Sequence, residues 1–440
     1  MMKPKKHIVI IGGGLAGLVA CYDLKNAGFH VTILESGSKL GGMASSVMVA
    51  NTPIEEYYHF ICRSDFHLLK LVDELGLNEK LHWNSTKTSL YYSGKFFPFS
   101  YVTDLLRFSA IPPLNRIQFG IHVLRSKYKK QWRHLDTITA KRWLIDTVGE
   151  KVFNTIWYPL LRIKFGDYYD KISAAWIWHR IWRVANSRRY LWEREEFGYL
   201  EEGSATLINE LSTILRSHKH VNIQTETAVK SIHLNNNKVI SIDTDGTQIK
   251  CDSVISTVAL PILTKLLDNS VATYTQRIQQ IQYIGIICAL IQLKNPFSEN
   301  FWMNISDPNF MFNGIIEQTN LNKHLNNQGF NILYIPLYMS IDKPEYQFSD
   351  ERLFTEYSQM LSKINPEFNE NWIINYQVFR APYAQAICAT GFSNLVPEIR
   401  TPINGLYVTD SSQFYPEDRT ISAAIHQGRD AAKMVIDDIA

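Results

Sequence analysis

The sequence predicts an α/β fold in which a Rossmann-like domain is interrupted by an inserted mixed α+β domain. Three observations predict it. An apolar run, His7 to Ile11, leads directly into the glycines of "GGGLAG" and then into a helical pattern. From Asn51 to Glu196 the texture changes to long, aromatic-rich helical stretches, and strand-like runs return after it. With 440 residues, 45% of them hydrophobic, the chain exceeds the size at which one core stops growing, so two domains or one with large insertions are expected.

In chain order, the pattern predicts a strand at His7 to Ile11, a helix from Leu15 to Ala27 ended by Gly28, and a strand at Phe29 to Leu34, together a parallel βαβ unit. Within the helical insert, "SLYYSGKFFPF" reads as a hairpin with Ser93 and Gly94 in the turn. The stretch from Val221 reads as a meander with turns at Asn235 to Asn237 and at Asp245 and Gly246, closing in an apolar strand at Ser253 to Thr257. Four further runs, "YIGIICALIQL", "FMFNGIIE", "NILYIPLYMS" and "NWIINYQVFR", predict a second sheet. The tail returns to a strand, "GLYVTD", and a helix beginning near Ile421, with Asp418 as its expected N-cap and Ile421, Ala424, Ile425 and Gly428 as its packed stripe.

The net charge of +3 gives no sign of a nucleic acid partner. Cys21, Cys62, Cys251, Cys288 and Cys388 are scattered without a CxxC pair, which argues against a disulfide framework and a zinc site and fits a reducing cytoplasm. The basic start followed by an apolar run superficially resembles a signal peptide, but the run breaks at three glycines and continues as a helix. No run reaches spanning length, so the expected protein is soluble or peripheral.

Gly12, Gly14 and Gly17 meet the GxGxxG spacing, with Leu15 and Ala16 between the last two. Gly12 permits the tight turn, Gly14 admits a pyrophosphate to the backbone, and Gly17 lets helix pack on strand, so the helix amino terminus faces the phosphates. Glu35 ends the next strand, where a carboxylate can accept the ribose hydroxyls. Beyond Ser36, Gly41 and Gly42 let backbone pass close to a second, bulky part of the ligand. A purely NAD(P)-binding Rossmann domain would next supply a second mononucleotide-binding half; here Tyr57, Tyr58, His59 and further aromatics follow instead.

These residues resemble the flavin-dependent amine oxidase and protoporphyrinogen oxidase superfamily, which is related to UDP-galactopyranose mutase. The matching pieces are "IGGGLAG" with Glu35, "LESGSKLGGMASS", and "GLYVTDSSQFYPEDRTISAAIHQGRDAA". The resemblance implies FAD as cofactor, Lys39 near its pyrophosphate, Gly41, Gly42 and Met43 beside the flavin, and Val229 offering backbone to the adenine. It implies discontinuous domains: residues 1–60, 195–270 and 381–440 bind FAD, and residues 61–194 and 271–380 bind substrate. Asp410, at the end of the tail strand, is expected to receive ribityl hydroxyls or a phosphate-bound water, with a turn cap as the alternative. Backbone donors at Thr420, Ile421 and Ser422 are expected at the N1 and O2 edge of the flavin, where reduced flavin carries negative charge.

The insert interleaves Trp157, Trp176, Trp178, Trp182 and Trp192 with Arg162, Lys164, Arg180, Arg183, Arg188, Arg189 and Arg194. Trp178, Ile181, Trp182 and Ala185 share a helical face and read as core. The cations suit phosphate or carboxylate recognition, and a solvated basic face is the alternative for any single one. Arg162 and Lys164 are the candidate catalytic cations, and His59 resembles the family's early histidine near the isoalloxazine. Counting back from "NPF" at Asn295 puts Cys288 where amine oxidases carry a lysine near flavin N5, which disfavours simple amine oxidation by oxygen. Residues 101–130 combine apolar faces with a basic end; an ordinary helical wall is preferred to a surface resting on a membrane. The expected activity is hydride abstraction from a bulky small molecule, cyclic or phosphate-bearing. The alternative is a redox-neutral nucleotide-sugar mutase.

Overall fold

The structure, a computed structural model, describes residues 6–186 and 195–439. Arg188, Arg189, Trp192 and Arg194, named above among the insert's cations and aromatics, lie outside the described residues. Strand β1 (His7–Ile11), helix α1 (Leu15–Asn26) and strand β2 (His30–Leu34) form the parallel unit read from the sequence. Gly28 takes φ +90° just past the helix, a conformation a side chain would strain.

β1 is the centre of a five-stranded parallel sheet. Its order is Leu406–Val408, Ser253–Ser256, β1, β2, Val221–Gln224. Strands that follow β1 in sequence leave first on one side and then on the other, so β1's carboxyl end lies where the order reverses, the place where such sheets open a ligand crevice. Val221–Gln224 and Ser253–Ser256 therefore do not belong to the expected meander. Only Ser231–Asn235, Lys238–Asp243 and Gln248–Lys250 form that antiparallel sheet. Ser253–Ser256 is buried throughout, like an interior parallel strand, whereas Val221–Gln224 is the half-exposed edge strand; both join the sheet through partners remote in sequence.

The second sheet has seven strands, in the order Ile373–Ala386, Tyr283–Leu293, Asn331–Met339, Gly314–Glu317, Trp302–Ile305, Thr88–Tyr92, Lys95–Pro98. The last two are the expected hairpin, with Ser93 and Gly94 both at positive φ, as a two-residue turn of this type requires. Trp302–Ile305, not read as a strand, bridges this hairpin to the rest of the sheet by pairing in parallel with Thr88–Tyr92.

Helices cover both sheets. The C-terminal helix Ile421–Ile439 crosses α1 so closely that a Cβ on Gly428 would stand 2.3 Å from the Ala16 carbonyl oxygen. Gly17 is equally confined, its Cβ position 2.2 Å from the Gly12 carbonyl oxygen. The two ends of the chain thus meet at the start of α1. The helix begins later than Asp418: Thr420 Oγ1 accepts the Ala423 N–H at 3.0 Å, so Thr420 caps it and Asp418 is free for another use.

Candidate active site

The glycine turn after β1 opens into a cavity of about 860 Å³. At one end lie Gly12, Gly14, Leu15, Ala16, Glu35, Gly41, Gly42 and Met43. A Cβ built on Gly14 would meet nothing nearer than the Gly41 oxygen and the Gly42 Cα at 4.0 Å, so the missing side chain leaves open room on the cavity wall beside the amino end of α1. Gly41, at φ +114°, pairs its N–H with the Gly13 carbonyl at 2.8 Å and holds the second glycine loop against the first. This cradle fits a dinucleotide's pyrophosphate: bare backbone, helix amino terminus and space coincide. Gly17 lies outside the cavity lining and serves the close packing described above.

Glu35 takes the Gly13 and Gly37 N–H groups at 2.7 Å each, one on each carboxylate oxygen, which fixes it at the cavity edge. The loop carrying Val229 runs alongside, with the Thr227 N–H donating to the Glu35 carbonyl at 2.8 Å; Val229 itself is partly buried and outside the lining. Ser36 is exposed, with its hydroxyl 3.4 Å from Glu35 Oε1. Lys39 departs from the expectation. Its ammonium turns outward, donates to the Ser46 carbonyl at 3.1 Å and stays outside the cavity lining, because the loop that bears it is exposed and a long chain can reach solvent-side acceptors.

From the tail, Asp410, Thr420 and Ile421 line the cavity, whereas Ser422 is buried with its hydroxyl accepting the Leu68 N–H at 3.3 Å. Asp410 caps the following turn through the Ser412 N–H at 2.7 Å and receives the Tyr283 hydroxyl at 2.6 Å, both on Oδ1. The turn-cap reading of Asp410 is the one the geometry carries, and Oδ2 takes only a long 3.4 Å contact from the Leu260 N–H.

Beyond the cradle the cavity widens between apolar walls that include Phe119, Ile156, Trp157, Phe165 and Ile177, and its floor is charged. Lys164, Arg180, Arg183, Asp65, Asp418 and Arg419 all line it. Asp418 accepts from Arg180, Arg183 binds Asp65 at 2.9 Å, and Arg419 donates to the Tyr338 hydroxyl at 2.9 Å. Burial pushes the Asp418 carboxyl up, but Lys164, Arg180 and Arg419 outweigh it and hold it well below the usual range.

Lys164 is the exceptional member. It is 9% exposed, yet among the described residues its ammonium makes no hydrogen bond. It sits 4.8 Å above the Trp176 ring and 4.7 Å above the Tyr338 ring. Burial, with Arg180 and Arg419 adding to it against the pull of Asp418, lowers its pKa to about 7. Arg162, the other candidate cation, is corrected by the structure: it binds Asp167 at 2.7 Å and the Gly166 carbonyl, outside the cavity lining. Both stand on Tyr158–Phe165, and a two-residue step on a helix turns a side chain to the opposite face.

His59 lines the cavity with Nδ1 3.3 Å from Glu55 Oε1. Glu55 is buried and also accepts the Ser204 N–H at 3.0 Å; burial raises its pKa, but His59 and Ser204 together bring it below the ordinary value. Cys288 is fully buried, outside the lining, with its strand neighbours Pro336 and Phe379 on either side.

The sequence alone points to no site role for Asp65, Arg419 or Glu55, and to a capping one for Asp418. The pair "DR" just before a helix expected to face the ligand is an available signal, as is Glu55 four residues before His59; the Arg183 partner of Asp65 and the Ser204 partner of Glu55 are remote in sequence.

The model for flavin containing amine oxidoreductases matches residues 15–436. The chain belongs to that family. The expected cofactor, FAD, agrees with this membership, and the expected FAD-dependent oxidoreductase class agrees with it too. Among family relatives, mitochondrial protoporphyrinogen oxidase of Nicotiana tabacum is 29% identical over 183 residues, 41% of this chain and 36% of that one. The chain matches about a third or less of the length of this and the next curated relatives. Two solved structures share the fold over nearly the whole chain. A candidate protoporphyrinogen oxidase from Exiguobacterium sp. 255-15 has a TM-score of 0.77 at 17% identity, covering 100% of both chains. Reduced UDP-galactopyranose mutase has a TM-score of 0.76 at 16% identity, covering 99% of this chain and 94% of the other.

Proposed function

We propose that this flavoprotein removes a hydride from a bulky, cyclic small molecule that carries a phosphate or carboxylate, and passes the electrons to oxygen or another acceptor. The observation that carries the reading is a single cavity joining the glycine cradle to a buried floor on which the Lys164 ammonium has no hydrogen-bond acceptor among the described residues. An anionic substrate group would supply that acceptor, and the apolar walls would hold the rest of the molecule away from water. A protonated amine would meet Lys164, Arg180 and Arg419 instead, an unfavourable approach at short range.

In this reading residues 1–60, 195–270 and 381–440 form the FAD-binding domain and residues 61–194 and 271–380 the substrate domain. Gly12, Gly14, Leu15 and Ala16 take the pyrophosphate, Glu35 the ribose, Val229 the adenine end, and Gly41, Gly42, Met43, Thr420 and Ile421 the flavin. Bound FAD supplies the two-electron oxidant. Lys164 and Arg419 orient the substrate's anion. His59, with Nδ1 held towards Glu55, presents Nε2 as the group that accepts a proton from substrate.

A redox-neutral mutase acting on a nucleotide sugar is the second reading; the cationic floor, suited to phosphate, and the fold shared with UDP-galactopyranose mutase support it. Anaerobic mixing of the yellow protein with cyclic carboxylates or phosphates, amines and nucleotide sugars separates these. Bleaching of the flavin band by an anionic substrate with matching product supports the first reading. Turnover only after prior flavin reduction, without net oxidation, supports the second. Bleaching by amines alone would overturn the anionic-substrate reading.

A further inference from the structure

Residues 101–130 fold into two helices, Val102–Arg107 and Pro113–Tyr128, tied together by the Arg116 guanidinium donating to the Leu106 and Ile111 carbonyls at 2.7 and 2.9 Å. The longer helix buries Phe119, His122 and Ser126. Its other face carries large apolar side chains in the open: Leu114 is 69% exposed, Ile117 52%, Ile121 44% and Tyr128 71%, with Leu106 at 55% beside them. Their spacing puts Leu114, Ile117, Ile121 and Tyr128 on one stripe. A continuous stripe of this kind is uncommon on a surface facing only water.

Charge decides what covers it. The segment holds six basic residues, Arg107, Arg116, Arg125, Lys127, Lys129 and Lys130, against one acidic residue, Asp104, which is buried at the start of its helix. It is therefore more positive by itself than the entire chain at +3. A second copy of the same face would be repelled. An anionic bilayer surface accepts both the cations and the apolar stripe.

We propose that the helix Pro113–Tyr128, with Leu106 beside it, docks peripherally on an anionic lipid surface. No described helix is long and apolar enough to cross a bilayer. The placement has a consequence for entry to the site. Leu124 and Lys127 of this helix line the cavity, as does Val184, which is 45% exposed, so the cavity reaches the surface beside the docked face. A substrate dissolved in the lipid would have a short path inward.

The flavin-loaded protein should float with phosphatidylcholine vesicles containing about a third phosphatidylglycerol and stay in solution with phosphatidylcholine alone. Arg125→Gln should weaken vesicle partition about five-fold, and the pair Leu114→Glu, Ile117→Glu should abolish it with flavin content unchanged. No flotation with anionic vesicles, or flotation indifferent to the double variant, would overturn the proposal. So would lipid-free dimerisation that the double variant abolishes, which would give the face to a second copy.

Discussion

Replacing Lys164 with methionine should make the protein more stable, and the gain should depend on pH in a defined way. Burial lowers the ammonium from the usual 10.5 to about 7, a displacement of roughly 5 kcal/mol at 1.36 kcal/mol per pH unit. Below pH 7 the lysine is protonated in both folded and unfolded chains, and the folded protein bears the whole cost of burying the charge. Between pH 7 and 10.5 the unfolded chain holds the proton that the folded one has lost, so stability of the native protein climbs with pH. Above 10.5 both states are neutral and the cost is gone. Methionine keeps the length and apolar stem, has no titrating group, and leaves Asp418 paired with Arg180.

Denaturant unfolding of both proteins, each saturated with flavin, at pH 6, 8 and 10 gives the stability difference directly, and titrating groups remote from Lys164 cancel in it. Lys164→Met should lead by several kcal/mol at pH 6 and by little at pH 10. Affinity for an anionic substrate should fall at the same time, which would make Lys164 a residue kept for function at the expense of stability. A constant lead across this range, or a variant less stable than the parent at pH 6, would refute the argument.

Three other substitutions probe the cradle and the histidine. Gly14→Ala puts a methyl on the open wall of the cradle, no nearer than 4.0 Å to the Gly41 oxygen and the Gly42 Cα, so folding should survive while flavin content, read from visible absorbance, drops to roughly a tenth. Gly428→Ala forces α1 and the C-terminal helix apart, since the new Cβ would stand 2.3 Å from a backbone oxygen; about 1–3 kcal/mol of stability should be lost in thermal unfolding. Glu55→Gln keeps the shape but removes the charge behind His59. Turnover should fall about a hundred-fold with a displaced pH profile and little change in KM, whereas a purely structural role would leave the profile in place.

How much of this was legible depends on how far apart the interacting residues lie in sequence. The βαβ unit, the Ser93–Gly94 hairpin and the glycine cradle rest on dihedral preferences and periodicity within some thirty residues, and all three stand where the sequence puts them. Asp418 reads as a cap in the sequence because capping is the local use of an aspartate before a helix. Its actual partners, Lys164 and Arg180, lie more than two hundred residues earlier. Arg162 and Lys164 look interchangeable as letters, and helical turn alone sends one to solvent-side Asp167 and the other to the cavity.

The sequence by itself determined a nucleotide-binding start, a tail that returns to it, and helices with apolar faces. Only the tertiary structure decided which apolar face is covered: Phe119 went into the core while Ile117 and Ile121 stayed outside. It alone also gathered Asp65, Lys164, Arg183 and Arg419 onto one cavity floor. The physical reason is that helix and turn formation are short-range, whereas burial and charge balance depend on what the rest of the chain places opposite each side chain.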